Sequence, residues 1–256
     1  MGVGDYINYR FKALTRHGVH SPLIYNLQDT VFIDRQKYSI YGEMEKVLRK
    51  LKVNKALIHL TDLGAGSRKP AKVKTVGNIA RHAVQRKKYR ELLFRMVRKY
   101  RPKTVIELGT SLGVTTCYLN AGLDPDANLY SLEGDPVILD FAVENVLPKS
   151  RQLITVLGNF DQTLPALLAE IPKVDFVYLD GNHTYEATKR YFNMLVPYLS
   201  ENAILVFDDI YWSDGMKKAW VEIVNDTRSQ FTVDLFQLGI VFFTPARVKQ
   251  HFVLLY

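Results

Sequence analysis

From Thr104 onward, short runs rich in Val, Ile, Leu, Phe and Tyr alternate with amphipathic stretches of helical length. That alternation is the pattern of a parallel sheet covered by helices on both faces. The apolar runs are TVIEL (104–108), NLYSLE (128–133), LITVL (153–157), DFVYLD (175–180) and AILVFDD (203–209), with a helical segment in each interval. A further helix is predicted from about Asp214 to Ser229. FTVDLF and IVFFTP then flank Gln237-Leu238-Gly239 and predict a closing hairpin. Five strand–helix units and a hairpin predict an α/β, Rossmann-like fold, with a seven-stranded, mostly parallel sheet whose last strand runs antiparallel.

The first hundred residues follow a different rhythm. Segments around 5–16, 43–52 and 76–100 carry apolar residues at helical spacing, joined by turn-rich pieces such as HGVHSP (17–22) and LGAGSRKP (63–70). Over 86–100, Leu92, Leu93, Met96 and Val97 share one face, and Arg101-Pro102 should end the helix. The expected organisation is a basic helical extension or lid at 1–85 and a catalytic domain at 86–256. Charge sharpens that division. Residues 1–103 hold 24 Lys+Arg against 7 Asp+Glu, a net +17, and residues 104–256 hold 10 against 19, a net −9, which together give the +8 of the chain. A cationic segment of this kind suits either an anionic partner such as nucleic acid or helices that are simply well solvated. The single cysteine, Cys117, excludes an intramolecular disulfide and a thiolate zinc site, and favours a reducing, cytoplasmic setting. No stretch approaches the roughly 20 apolar residues of a membrane helix.

Candidate chemistry gathers at the ends of the predicted strands. Val105-Ile106-Glu107-Leu108-Gly109-Thr110-Ser111-Leu112-Gly113 turns from strand into helix, with Gly109 for the tight turn and Gly113 for close backbone approach. Its glycine spacing is not the GxGxxG of a pyrophosphate loop. Glu107 can face a cationic group, and the amides of the 110–115 turn, including Thr110, Ser111 and Thr115, suit a carboxylate. Glu133, 20 residues past Gly113 and followed by Gly134, can take a ribose diol, and Asn159 and Phe160 can flank an adenine. Asp62-Leu63-Gly64-Ala65-Gly66-Ser67 also looks glycine-rich, but no acid follows at ribose distance, so it is expected to be a loop or lid beside the site. The fourth and fifth strands end in Asp180-Gly181-Asn182-His183 and Asp208-Asp209.

These motifs resemble the class I S-adenosylmethionine-dependent methyltransferases, in detail the catechol and caffeoyl-CoA type O-methyltransferases, over residues 87–244. The likeness rests on KYRELLFRMVRKYRPKTVIELGTSLGVTT, SLEGD, VDFVYLDGNHTYE and ILVFDDI. HGVHSP and KQHF are shared with an uncharacterised group of bacterial methyltransferases. The resemblance implies S-adenosylmethionine as cofactor, held by Glu107, Gly109, Thr110, Ser111, Gly113, Thr115, Glu133, Gly134, Asn159, Phe160 and Asp180. It implies a divalent ion, Mg²⁺ or Ca²⁺, on Asp180, Asp208 and Asp209, and a small hydroxylated acceptor. His183 stands where those enzymes carry a catalytic Lys, and an imidazole is a competent base near neutral pH. His183 and Asp180 are therefore the catalytic candidates. His17, His20, Tyr211 and Trp212 are weaker candidates for the acceptor pocket. An RNA or polyanion acceptor is the alternative, a non-catalytic cofactor-binding protein the third reading, and a homodimer is allowed for.

Overall fold

The computed structural model describes residues 2–15, 18–60 and 72–256. His17 and the glycine-rich stretch 62–67 lie outside the described residues. In chain order the elements are α1 (Val3–Lys12), α2 (Pro22–Leu27), α3 (Ser39–Val53), β1 (Leu57–Leu60), β2 (Lys72–Thr75), α4 (Val76–His82), α5 (Lys87–Tyr100) and β3 (Thr104–Leu108). They continue with α6 (Val114–Gly122), β4 (Asn128–Glu133), α7 (Pro136–Asn145), β5 (Leu153–Leu157), α8 (Phe160–Glu170) and β6 (Val174–Leu179). The chain closes with α9 (Tyr185–Leu195), β7 (Leu199–Asp208), α10 (Asp214–Asn225), β8 (Phe231–Asp234), β9 (Leu238–Phe242) and β10 (Gln250–Val253).

The main sheet has eight strands in the order β10-β8-β9-β7-β6-β3-β4-β5, and the fold is the expected mixed α/β, Rossmann-like one. Only β9 runs antiparallel, pairing with both β7 and β8. The eighth strand corrects the expected seven: Gln-His-Phe-Val lies parallel to β8 in the register Gln250↔Phe231 to Val253↔Asp234. Four residues with a polar start carry too little periodicity to stand out in sequence. The helical signal at 76–100 also resolves into two helices. Thr75 caps α4 through Asn78 N, and the chain breaks at residues 83–86 before α5.

The chain divides into two compact units, one spanning Asp34–Leu167 and the other combining Met1–Ile33 with Leu168–Tyr256. In the first, β3, β4 and β5 are parallel and in register, so their carboxyl ends share one edge. All five residues of β3 are buried, as a strand covered on both faces requires. Leu92, Leu93, Met96 and Val97 of α5 have no exposed surface, each worth roughly 1.5–3 kcal/mol of transfer free energy. Arg101 closes that helix in the left-handed region (φ 50°), directly before Pro102. A second apolar cluster joins α3, α4, α5, α6 and α7 through Met44, Leu48, Ile79, Phe94, Tyr118 and Ile138.

In the second unit β6 and β7 are parallel, which sets Asp180 and Asp208 at the same end of adjacent strands. The N-terminal segment is fastened here to the end of the chain. Tyr9 Oη donates to the Leu254 carbonyl (2.6 Å), Leu14 N to Val253 O (2.8 Å) and Leu255 N to Leu14 O (3.1 Å). Asp5 pairs with Lys217 at 3.1 Å, and the Tyr6 and Tyr9 rings pack on Phe236.

Candidate active site

In the Asp34–Leu167 unit the loop after β3 is held by backbone bonds to its neighbour strand. Gly109 N and Thr110 N both donate to Leu132 O, and Gly113 N donates back to Thr110 O. The turn needs positive φ at Gly109 (109°), Ser111 (47°) and Gly113 (76°). At Gly113 a Cβ would also lie 2.5 Å from Leu147 Cδ2. A strained non-glycine residue such as Ser111 persists only where its surroundings hold it. Here the holder is Glu133, whose Oε2 accepts from Ser111 N at 2.8 Å, and whose Oε1 accepts from Asp135 N at 3.0 Å. Burial raises the Glu133 carboxyl above the usual range, against the lowering effect of the Asp135, Ser111 and Gly134 amides.

Glu107 is fully buried, and its Oε2 accepts from Thr116 and Ser131 hydroxyls, both at 2.6 Å. Thr110 Oγ1 lies 2.6 Å from the same Ser131 hydroxyl. The first strand acid thus ties β3, β4 and α6 together beneath the loop. Ser111, Glu133 and Gly134 lie half-buried around it, Thr115 is buried, Phe160 is half-buried and Asn159 is exposed. Asn159 Oδ1 accepts from Asp161 N at 2.9 Å, opening α8.

In the other unit, Asp180, His183, Asp208 and Asp209 come together around Tyr178. The buried Tyr178 hydroxyl lies 3.0 Å from Asp180 Oδ2 and 2.9 Å from Asp208 Oδ2. One phenolic proton can serve only one of two carboxylates, so a second proton on the Asp208 carboxyl satisfies both contacts. Burial, with the charges of Asp180 and Asp209, pushes Asp208 well above the ordinary aspartate range. Burial likewise raises Asp209, opposed by His183 and by Gln237, whose amide donates to Asp209 Oδ1 at 2.8 Å. His183 Nε2 lies 3.4 Å from Asp180 Oδ1. Burial disfavours the charged imidazole, but the Asp180 hydrogen bond and the charges of Asp180 and Asp209 outweigh it and raise the ring's pKa above 6.5. Asn182 (φ 53°) and Asp209 (φ 54°) both occupy the left-handed region, placing backbone strain at both strand ends.

Residues 106–210 match a family described as a methyltransferase domain. That span opens in β3 and closes just past Asp209, so it contains both residue sets. Over that span the chain has the class I methyltransferase fold. Among solved structures this methyltransferase is similar to the O-methyltransferase of tomaymycin synthesis from Streptomyces achromogenes, solved with SAM (13% identity, 84% of this chain and 93% of that one, TM-score 0.57). It is similar to an O-methyltransferase from Bacillus cereus in complex with SAH (15%, 84% and 96%, TM-score 0.57). A Staphylococcus aureus protein provisionally assigned as a caffeoyl-CoA O-methyltransferase matches over 92% of this chain and 99% of its own (15%, TM-score 0.59). At these identities the likeness establishes the fold. No curated protein matches the methyltransferase in sequence.

The acids at the ends of β6 and β7 do not support the expected Mg²⁺ or Ca²⁺. Asp208 is 4% exposed, and its Oδ1 accepts from Asp209 N (2.7 Å) as its Oδ2 meets Tyr178. Asp209 is turned to Gln237. Among the described residues no group of three or more His, Cys, Asp or Glu side chains is arranged to hold a metal. A hard cation needs several open oxygen ligands, and both oxygens of Asp208, the acid at the end of β7, answer to protein donors.

The remaining candidates separate. His20 is exposed, and Trp212 is 58% exposed. Tyr211 stacks on Phe236 at 4.9 Å, and its hydroxyl donates to Asp234 (2.8 Å). Four residues of the methyltransferase that sequence reasoning passed over hold the site: Tyr178, Ser131, Thr116 and Gln237. Tyr178 sits two residues before Asp180, so the twofold strand period puts both on one face. Ser131 is the strand partner of Glu107 in the register.

Proposed function

We propose that the chain is an S-adenosylmethionine-dependent O-methyltransferase acting on a small hydroxylated acceptor, with His183 as the group that accepts the acceptor's proton. The observation that carries this reading is the His183–Asp180 pair at 3.4 Å, at the carboxyl end of β6 within the methyltransferase domain. The cofactor fits the other residue set: the positive-φ turn at 109–113, held to the Leu132 carbonyl by backbone bonds, and the half-buried carboxyl of Glu133 at the end of β4. When bound, S-adenosylmethionine supplies an electrophilic methyl group on a sulfonium. Glu133 and the 109–113 turn bind and orient it, and Asn159 and Phe160 flank the adenine. Glu107 acts from beneath, fixing the loop through Thr116 and Ser131. Asp180 orients the His183 ring and stabilises the imidazolium that forms when the hydroxyl gives up its proton. No step is routed through a metal.

The test incubates the protein with methyl-labelled S-adenosylmethionine and fractionated extract, with and without RNase. Label should enter a small-molecule fraction, survive RNase and survive a chelator. Turnover should rise with pH through a value above 6.5, as a base must be neutral to act, and His183→Ala should remove that limb. Transfer into RNase-sensitive material would instead establish the RNA reading suggested by the cationic N-terminal half. An absence of transfer with intact cofactor binding would establish a non-catalytic binder.

A further inference from the structure

None of the residues assigned above to the cofactor or the acceptor's proton lies in the Asp34–Tyr100 part of the chain, yet that part holds an open cleft of about 740 Å³. It lies between the segment entering α3, the exposed side of that helix and the start of α5. Its lining carries six cations, Arg35, Lys37, Lys46, Arg49, Lys87 and Arg95, against three carboxylates. The carboxylates are already engaged. Glu45 pairs with the buried Arg90 at 2.6 Å, Asp34 accepts from the Tyr38 hydroxyl (2.9 Å) and Gln36 N (2.8 Å), and Glu91 faces Lys87 at 3.9 Å. Burial also raises the Glu91 carboxyl, against the lowering effect of the Lys87, Arg95 and Arg90 charges. Arg35, Lys37, Lys46 and Arg49 are exposed and make no ion pair among the described residues.

Two further features mark a site made for a ligand rather than a solvated helix face. Arg95 is 7% exposed, with its guanidinium 3.4 Å from the Tyr41 hydroxyl, so a fixed cation sits in the wall beside the flexible ones. Tyr41 and Tyr38 form the apolar part of that wall, packed edge-on to each other and to Phe94. Gly42, in the second turn of α3, lines the same cleft, and a Cβ there would meet nothing within 4 Å. A helix-interior glycine costs about 1 kcal/mol relative to alanine, and no neighbour in the protein requires this one. It leaves room that the protein itself does not fill.

We propose that this cleft binds a small organic molecule of nucleotide size bearing two or more phosphate charges. Its volume lies within the range of small-molecule sites, about 300–1,000 Å³. A fixed arginine with mobile lysines and arginines is the donor set that recognises phosphate oxygens. The proposal is independent of methyl transfer.

Calorimetric titration of the full chain with ADP tests it. One equivalent should bind with a Kd of about 10 µM or tighter at low salt. Saturating S-adenosylmethionine should leave that affinity unchanged. Lys46→Glu with Arg49→Glu, at exposed positions, should weaken it at least ~10-fold. Gly42→Leu should fold with an equal or higher melting temperature yet weaken ADP by a similar factor, and Arg95→Lys should weaken it with the fold retained. Absence of saturable binding, displacement by S-adenosylmethionine, or indifference to both the double charge reversal and Gly42→Leu would each overturn the proposal. A 20-nucleotide RNA that binds the cleft more tightly than ADP, with the same charge-reversal dependence, would overturn it in favour of a nucleic-acid surface.

Discussion

Replacing Gly113 with alanine isolates the cost of the turn on which the cofactor loop depends. The residue sits at φ 76°, where an L side chain is disfavoured by roughly 1–2 kcal/mol. The new Cβ would lie 2.5 Å from Leu147 Cδ2 and 3.1 Å from its Cγ, so Leu147 must move out of the cluster that it packs against. Forcing an extra methyl into a packed interior costs about 1–3 kcal/mol, and together the two effects predict a loss of about 2–5 kcal/mol. Urea unfolding of Gly113→Ala, Leu147→Ala and the double variant separates them. In the Leu147→Ala background the steric part vanishes and only the backbone part, about 1 kcal/mol, remains. Calorimetry on the same proteins should show cofactor affinity falling with Gly113→Ala and not recovering in the double variant, because the turn is still strained. A loss below about 0.5 kcal/mol, or strict additivity across the cycle, would refute the reasoning.

Other outcomes follow from the buried groups. The Asp208 carboxyl is raised on folding, so the folded state prefers its protonated form, and stability falls as pH climbs above the unfolded value near 3.9. Asp208→Asn should therefore be more stable than the parent at pH 7, with the gain fading towards pH 3, and a variant less stable at pH 7 would contradict the assignment. Tyr178→Phe removes the hydroxyl between two carboxylates and should cost about 1–3 kcal/mol in denaturant unfolding, whereas an unchanged midpoint would show that the bridge contributes nothing. Burial pushes the Cys117 thiol up to about 12, so a thiol reagent at pH 8 should label it only as fast as the protein opens. Immediate stoichiometric labelling would rule that out.

The fold was most legible where burial on both faces made the strands nearly continuous apolar runs. TVIEL coincides with β3, and AILVFD lies within β7, which begins earlier, at Leu199. It was least legible at β10, at the β1–β2 pair and at α2, where four to six residues carry no resolvable period. The candidate site was legible as positions and less so as roles. Glu107, Glu133, Asp180, His183 and Asp208 all stand at strand ends, but sequence cannot say which oxygen atoms the protein already occupies. That is why Asp208 looked like an open metal ligand when its two oxygens answer to Tyr178 and Asp209 N. Contacts that depend on strand register, such as Ser131 with Glu107, become visible only once neighbouring strands are aligned.

The fastening of the first helix to residues 253–255 bears on the order in which the molecule can be made. Residues 3–14 are synthesised well before their hydrogen-bond partners at 253–255 and the Phe236 ring they cover. The Asp34–Leu167 unit has its own core and can close as it emerges, whereas the 3–14 segment must wait, with Tyr6 and Tyr9 uncovered, until Phe236 and residues 253–255 have been made. Contacts spanning 245 residues carry a large loop-closure cost and form late, so docking of this helix should report completion of the fold. Loss of residues 253–255 would first release the helix at 3–12.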